Sequence, residues 1–342
     1  VQPGAQSALA RIGINTLLPE TDVGEDLFGF PLLVRFDAGT MDFSRLADES
    51  SLLFKKSDGT VVPHQAELWD PAGQVGIVWI RIDTLRAGSN QSVYLHRNPD
   101  TGGGALNPFP AESGFLGVWH CSDSFAGSDT TDGIRDASPR QNHGTARGRM
   151  GSHSSVEGVV GGAIRLDGAD DWFDMGDRPE FDVSAYTYSF WVQGDHTPST
   201  QATSKVFCVE PRRIEFAWDH VGPGSSAGQL VRTDSDDDEW VSTQLQIPMT
   251  ANTWYHVTGT YDGSAIRLYV DGEVQDSVHI AAGLLDATGL AIGADTEMKC
   301  CFFAGVVDEI RFCNEPRSPG WIRLMHENQR PGSGFPSVEV LP

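Results

Sequence analysis

The stretch Trp254–Val278, "WYHVTGTYDGSAIRLYVDGEVQDSV", decides the fold class. Tyr255 and Val257, then Ile266, Leu268 and Val270, then Val274 alternate with other residues at the period of a strand with one buried face. Asp262-Gly263 and Asp271-Gly272 stand between these runs, and Asp-Gly is a pair that tight hairpin turns favour. The stretch predicts an antiparallel meander of three strands. Weaker versions recur upstream in "FPLLVRF" (Phe30–Phe36), "VGIVWIRI" (Val75–Ile82) and "QSVYLHR" (Gln91–Arg97). Asp58-Gly59 gives a further hairpin signal in "KSDGTVVPHQAELW". Helical periodicity is scarce, and "SPGWIRLMHENQ" (Ser318–Gln329) predicts one short helical turn. The expectation is an all-β protein whose sheets bury their apolar faces against each other.

A length of 342 residues favours two domains. The break falls in "NPDTGGGALNPFPAESG" (Asn98–Gly114), where three consecutive glycines and three prolines leave no room for a regular element. The expected order is a small β-sandwich-like domain over residues 1–100, a linker over 101–113, a larger β-sandwich over 114–337 and a tail over 338–342.

The formal net charge is −23, which argues against nucleic acid or an anionic membrane as partner. No apolar run reaches the length of a membrane-spanning helix. The opening Val1-Gln2-Pro3-Gly4 is no signal peptide, and removal of a signal or anchor is an expectation. Five cysteines without a CxxC motif or a zinc-type Cys/His spacing point away from zinc and thioredoxin-like chemistry. They fit a secreted protein with one or two disulfides.

In the second part, "GVWHCSDS", "DASPRQNHGTA", "GGAIRLDGADDWFDMGD", "YSFWVQGD", "NTWYHVTGTYDGSAIRLYVDGE", "LAIGAD" and "FAGVVDEIRF" follow one another. In that order they resemble the laminin-G-like, concanavalin-A-like jelly-roll family, over residues 114–337. The first part, from "FPLLVRF" to "HQAELWD", resembles an uncharacterised β-domain that precedes such jelly rolls in secreted bacterial proteins. Some of those relatives are fused to TolQ/ExbB-type proton channels. The resemblance implies a jelly-roll β-sandwich and a secreted, extracellular or envelope location. It also implies one structural Ca²⁺ with Asp308 as a ligand. Asp123 and Asp136 are candidates for completing it, since Ca²⁺ takes six to eight oxygens. Hydrogen bonds from backbone amides are the alternative use for Asp308.

Strand alternation in "VVDEIRF" places Val306, Asp308, Ile310 and Phe312 on one face and Val307, Glu309, Arg311 and Cys313 on the other. Glu309 and Arg311 then form an exposed pair. "FAGVVDEIRF" reads as the closing strand beside the opening "GVWHC", which allows a Cys121–Cys313 disulfide. For Cys300-Cys301 an adjacent-pair bond is less expected than a bond from one of them to Cys208. The same resemblance places Trp119, Trp191 and Trp254 in the core and assigns His120 to packing.

Glucan-cleaving relatives carry an E-x-D-x-x-E or E-x-D-x-E strand, and none stands here. The weak catalytic candidates are Glu215 and Asp219 in "EPRRIEFAWDH", where an ordinary strand is the plainer reading. "DSDDDEW" (Asp234–Trp240) reads as a solvated loop. Sugar rings stack on exposed aromatic faces, and Trp218, Trp240 and Trp172 lie beside polar loops. The expected function is an extracellular, non-catalytic protein binding a polysaccharide or glycan. A glycoside hydrolase or polysaccharide lyase is the enzymatic alternative, and the ectodomain of an envelope transport or sensory protein is the third.

Overall fold

The computed structural model describes residues 8–98, 106–125, 133–210, 214–220, 227–232, 240–280, 289–295 and 300–342, without the side chains of Glu210, Arg232 and Trp240. The chain divides into two units. One comprises residues 1–110 and 319–342, the other residues 111–318.

The first unit opens with β1 (Ala10–Asn15), β2 (Leu27–Phe36), β3 (Leu52–Lys56), β4 (His64–Asp70), β5 (Val75–Leu85) and β6 (Asn90–Arg97). Strands β2, β5 and β4 form a three-stranded sheet, with β2 and β5 in register from Leu27↔Leu85 to Phe36↔Gly76. Leu32, Leu33, Val34, Val78, Trp79 and Ile80 are fully buried, which accounts for their unbroken apolar runs. The Asp58-Gly59 turn forms, with Gly59 at φ +89° and a single bridge Lys55↔Val61. Its flanks do not continue as a hairpin. β3 pairs with β6 and β4 pairs with β5, so the turn hands the chain from one sheet to the other.

The second unit is a two-sheet sandwich. Its strands, in chain order, are β7 (Phe115–Trp119), β8 (Thr145–Arg147), β9 (Ser155–Glu157), β10 (Gly162–Asp167), β11 (Trp172–Asp177), β12 (Tyr186–Gly194), β13 (Ser204–Glu210) and β14 (Ile214–Asp219). They continue with β15 (Gly228–Arg232), β16 (Trp240–Ser242), β17 (Tyr255–Tyr261), β18 (Ala265–Val270), β19 (Glu273–His279), β20 (Gly289–Ile292) and β21 (Ala304–Cys313). An eight-stranded sheet runs β19-β18-β17-β12-β21-β10-β9, with β7 also on β21. A seven-stranded sheet runs β16-β15-β14-β13-β20-β11-β8. The core lies between them, where the Tyr188 ring of one sheet stacks on Phe207 of the other at 4.8 Å between centroids. The expected meander is present as β17, β18 and β19. Asp271 and Gly272 both have positive φ, +52° and +81°, as a type I′ turn requires.

Strand β21 departs from simple alternation. Its partner residues on β12 jump from Ser189↔Arg311 to Trp191↔Asp308, and Glu309 sits at φ +50°. This bulge puts Val307, Ile310 and Phe312 in the core together. The expected shared face of Val306, Asp308, Ile310 and Phe312 is thereby broken. Glu309 and Arg311 are not an exposed pair either, since both are buried.

The chain then returns to the first unit. Residues Pro319–Gln329 form α1, an 11-residue helix where one turn was expected, and Ser337–Val340 form β22. Trp321 of α1 meets Phe30 edge-on at 4.9 Å, and Asn328 exchanges hydrogen bonds with the Leu33 backbone. β22 pairs with β1 from Ala10↔Val340 to Gly13↔Ser337, giving the sheet order β22-β1-β6-β3. Residues after 318 therefore complete the first unit rather than the jelly roll and a tail, because Trp321 packs on Phe30 of β2, Asn328 holds the Leu33 backbone, and β22 pairs with β1.

Candidate binding face of the seven-stranded sheet

Phe173 and Met175 of β11, Phe207 and Val209 of β13, and Ile214 and Phe216 of β14 point into the core. Their strand neighbours therefore point to the opposite face of the seven-stranded sheet. The cross-strand pairs Glu215↔Cys208, Cys208↔Ala291, Ala291↔Asp174 and Asp174↔Thr145 run across that outer face from β14 to β8.

At its centre lies a charged cluster. Lys205 Nζ donates to Asp295 Oδ2 at 2.8 Å and to Glu215 Oε1, and all three residues are buried. Burial alone would lower the Lys205 pKa, but Cys208, Glu215 and Asp295 outweigh it, and the ammonium is held above its usual range. Cys208 Sγ donates to Glu215 Oε1 at 3.8 Å. Glu215 is thus bound into an ion cluster.

Asp219 is committed in another way. It accepts from Ser204 Oγ at 2.7 Å and from the Ser199 amide at 2.8 Å, and it meets His196 Nε2 at 2.8 Å. Along a strand, four residues separate the Glu215 and Asp219 backbones by about 13 Å. The two do not form a pair across one substrate-sized gap.

The edge of the same face is built differently. Trp172 of β11 is half-buried and stands opposite Arg147 of the edge strand β8. Arg147 Nη2 donates to Asp174 Oδ2 at 2.8 Å, with the two side chains 38% and 33% exposed. A ring, a guanidinium and a carboxylate are therefore presented together to solvent. Trp218 does not join them. It is fully buried, its Nε1 donates to the His196 carbonyl, and its ring packs edge-on against Phe303. A Cβ on Gly194 would lie 2.2 Å from that ring, so glycine is required there. The alternation that puts Glu215 and Asp219 outward puts Trp218 inward. The backbone of Trp240 lies in β16, but its side chain falls outside the described residues, as does the acidic loop 234–239.

The three expected calcium ligands are not assembled. Asp136 Oδ1 accepts from the Val118 and Ser138 amides, and its Oδ2 accepts from Ser138 Oγ and the Asn142 amide. Its lone pairs are taken. Asp308 Oδ2 accepts from the Val159 and Val160 amides at 2.8 and 2.9 Å. Asp123 accepts from the Arg135 amide, and burial raises its pKa against that bond. Among the described residues of the second unit, three ligand atoms within 4.8 Å of one another come instead from Asp167, Asp170 and Asp171. Asp123, Asp136 and Asp308 do not fit a calcium ion as a set.

Sequence reasoning missed the surroundings of Glu309. His120 Nδ1 lies 2.6 Å from Glu309 Oε1, and Arg311 Nη2 donates to Glu309 Oε2 at 2.8 Å. Burial opposes the Glu309 charge, but His120 and Arg311 prevail and its pKa is lowered. The cysteine pairing also differs from expectation. Cys121 and Cys313 are buried thiols, because Cys313 pairs with Phe115 at one end of β7 and Cys121 lies past Trp119 at the other. Cys300 and Cys301 are bonded to each other, and Cys208 is a thiol.

A two-sheet jelly roll with a polar outer face is the class of domain this geometry defines. Residues 167–323 match the family model of the concanavalin A-like lectin/glucanases superfamily, so this C-terminal part is a concanavalin A-like domain. No curated protein matches the chain. Among solved structures it is similar to domain 4 of AbnA, a GH43 extracellular arabinanase from Geobacillus stearothermophilus, in complex with arabinotriose. That likeness has 18% identity and TM-score 0.40, and covers 49% of this chain and 78% of that one. It is also similar to the binding domain of Paraclostridial Mosquitocidal Protein 1, at 14% identity and TM-score 0.45, covering 63% of this chain and 52% of that one. A native heptameric SAP-like pentraxin from Limulus polyphemus is similar at 14% identity and TM-score 0.37, over 47% of this chain and 79% of that one.

Proposed function

We propose that the second unit is a non-catalytic glycan-binding domain of a secreted protein, and that Trp172, Arg147 and Asp174 receive the sugar. The observation that carries this reading is the contrast on one sheet face. The candidate catalytic acids, Glu215 and Asp219, are already bound to Lys205, Ser204 and His196. The half-exposed edge offers an aromatic ring beside a polar pair. A pyranose has apolar C–H faces that stack on an indole, and hydroxyls that both donate and accept. Asp174 accepts and Arg147 donates, so one side chain of each kind flanks the ring. The Cys300–Cys301 disulfide supports an oxidising compartment.

A glycan array followed by titration calorimetry tests the reading, with reducing-sugar and unsaturated-product assays in parallel. Binding to a polysaccharide that drops about tenfold or more in Trp172→Ala supports it, a change of about 1.4 kcal/mol. Turnover that disappears in Glu215→Gln would overturn it.

A further inference from the structure

The thiols of this unit fall into two groups. Cys121, Cys208 and Cys313 are buried. Burial pushes the Cys121 and Cys313 thiols up, away from the thiolate that reacts. Cys300 and Cys301 are half-exposed and joined to each other. Because they are adjacent, their bond closes a small ring around their own shared peptide unit. Within it Cys301 sits at φ +65°, a left-handed conformation that residues with a Cβ seldom adopt.

Both ends of the ring are tied to the buried ion cluster through the backbone. Asp295 and Cys300 exchange N–H···O bonds at 3.1 and 3.3 Å, and the Lys205 amide donates to the Cys301 carbonyl at 2.9 Å. Lys205 and Asp295 are the residues whose side chains also meet at 2.8 Å. A change at the sulfurs therefore reaches the cluster without crossing any other element.

We propose that Cys300–Cys301 is a thiol–disulfide exchange site for small uncharged dithiols, and that its opening releases the backbone of Lys205 and Asp295. One thiolate of the dithiol attacks a sulfur of the pair, the S–S bond breaks, and the other cysteine leaves as a thiolate that takes up a proton. The second thiol of the reagent then displaces the mixed disulfide. Two electrons and two protons pass to the protein, and the reagent departs as its own cyclic disulfide. Once open, Cys301 is free to leave the left-handed region, and its carbonyl turns away from Lys205. The formal net charge of −23 repels thiols that carry carboxylates.

The test combines mass-spectrometric peptide mapping of the unreduced protein with amide hydrogen exchange, with and without dithiothreitol. The Cys300–Cys301 peptide is expected to be lighter by two hydrogens before reduction. Dithiothreitol should then speed exchange at the Lys205, Asp295 and Cys300 amides by about tenfold or more, with Val257 in β17 unchanged. The Cys300→Ser/Cys301→Ser double variant should exchange fast at the outset and ignore the reagent. If that variant does not fold, the wild-type comparison decides alone. Dihydrolipoic acid, a dithiol that carries a carboxylate, should open the pair more slowly than dithiothreitol at equal thiolate concentration. Free thiols at 300 and 301 in the native protein would overturn the proposal. So would complete reduction with unchanged exchange at Lys205, and equal rates for the two reagents would overturn the preference for uncharged dithiols.

Discussion

Two regions of one sheet face use the same residue types to opposite ends. At the centre, Lys205, Glu215 and Asp295 are enclosed and satisfy one another. At the edge, Arg147 and Asp174 make a similar pair but keep a third of their surface in water, beside Trp172. Enclosed charges cannot be offered to a ligand without leaving a partner uncompensated, whereas edge charges exchange partners at little cost. The difference teaches that on this face burial, more than residue type, separates scaffold from binding surface.

The comparison breaks first at Lys205. Lys205→Met strands two buried carboxylates and should lower unfolding free energy by about 3–5 kcal/mol in urea titrations. A loss below about 1 kcal/mol would mean the centre is wetter and more available than its enclosure indicates. Next comes Asp308, which serves two buried amides. Asp308→Ala should cost about 2–3 kcal/mol, because each donor left without an acceptor is penalised. EDTA should leave the melting temperature of the wild type unchanged, and a drop on chelation would restore a metal to this carboxylate.

Glu309 sharpens the enclosed case through pH. Its folded pKa lies below its ordinary value of 4.5. Its contribution to stability is therefore fully present above pH 4.5 and is lost as pH falls through the lowered value. Melting temperature followed against pH should show this acid-side loss, and Glu309→Gln should flatten it. The smallest expected effect belongs to the edge. Arg147→Ala should change stability by no more than about 0.2–1 kcal/mol while weakening glycan binding. A large stability loss there would erase the contrast between the two regions.

The meander from Tyr255 to His279 was legible because alternation and Asp-Gly turns are local signals. The inward turn of Trp218 was legible in principle too, since it follows from the alternation that sends Glu215 and Asp219 outward. Other features had no local signal. The bulge at Glu309 reverses the faces of β21 and is visible only in the pairing with β12. The Lys205–Asp295 contact joins residues 90 apart in sequence. Asp308 read as a metal ligand because the family resemblance implies a Ca²⁺ at that position, whereas the two amides that bond it lie 149 and 148 residues upstream and give no local signal.

The pairing of β22 with β1 sets an order of events during synthesis. Residues 111–318 are complete and able to collapse before residues 337–340 have been made. The four-stranded sheet of the first unit lacks its edge strand, and β2 lacks its helix, until residues 319–340 have been made. A growing chain would thus hold strands β1–β6 open while the later-made sandwich folds, reversing for these two units the usual N-to-C sequence of domain folding.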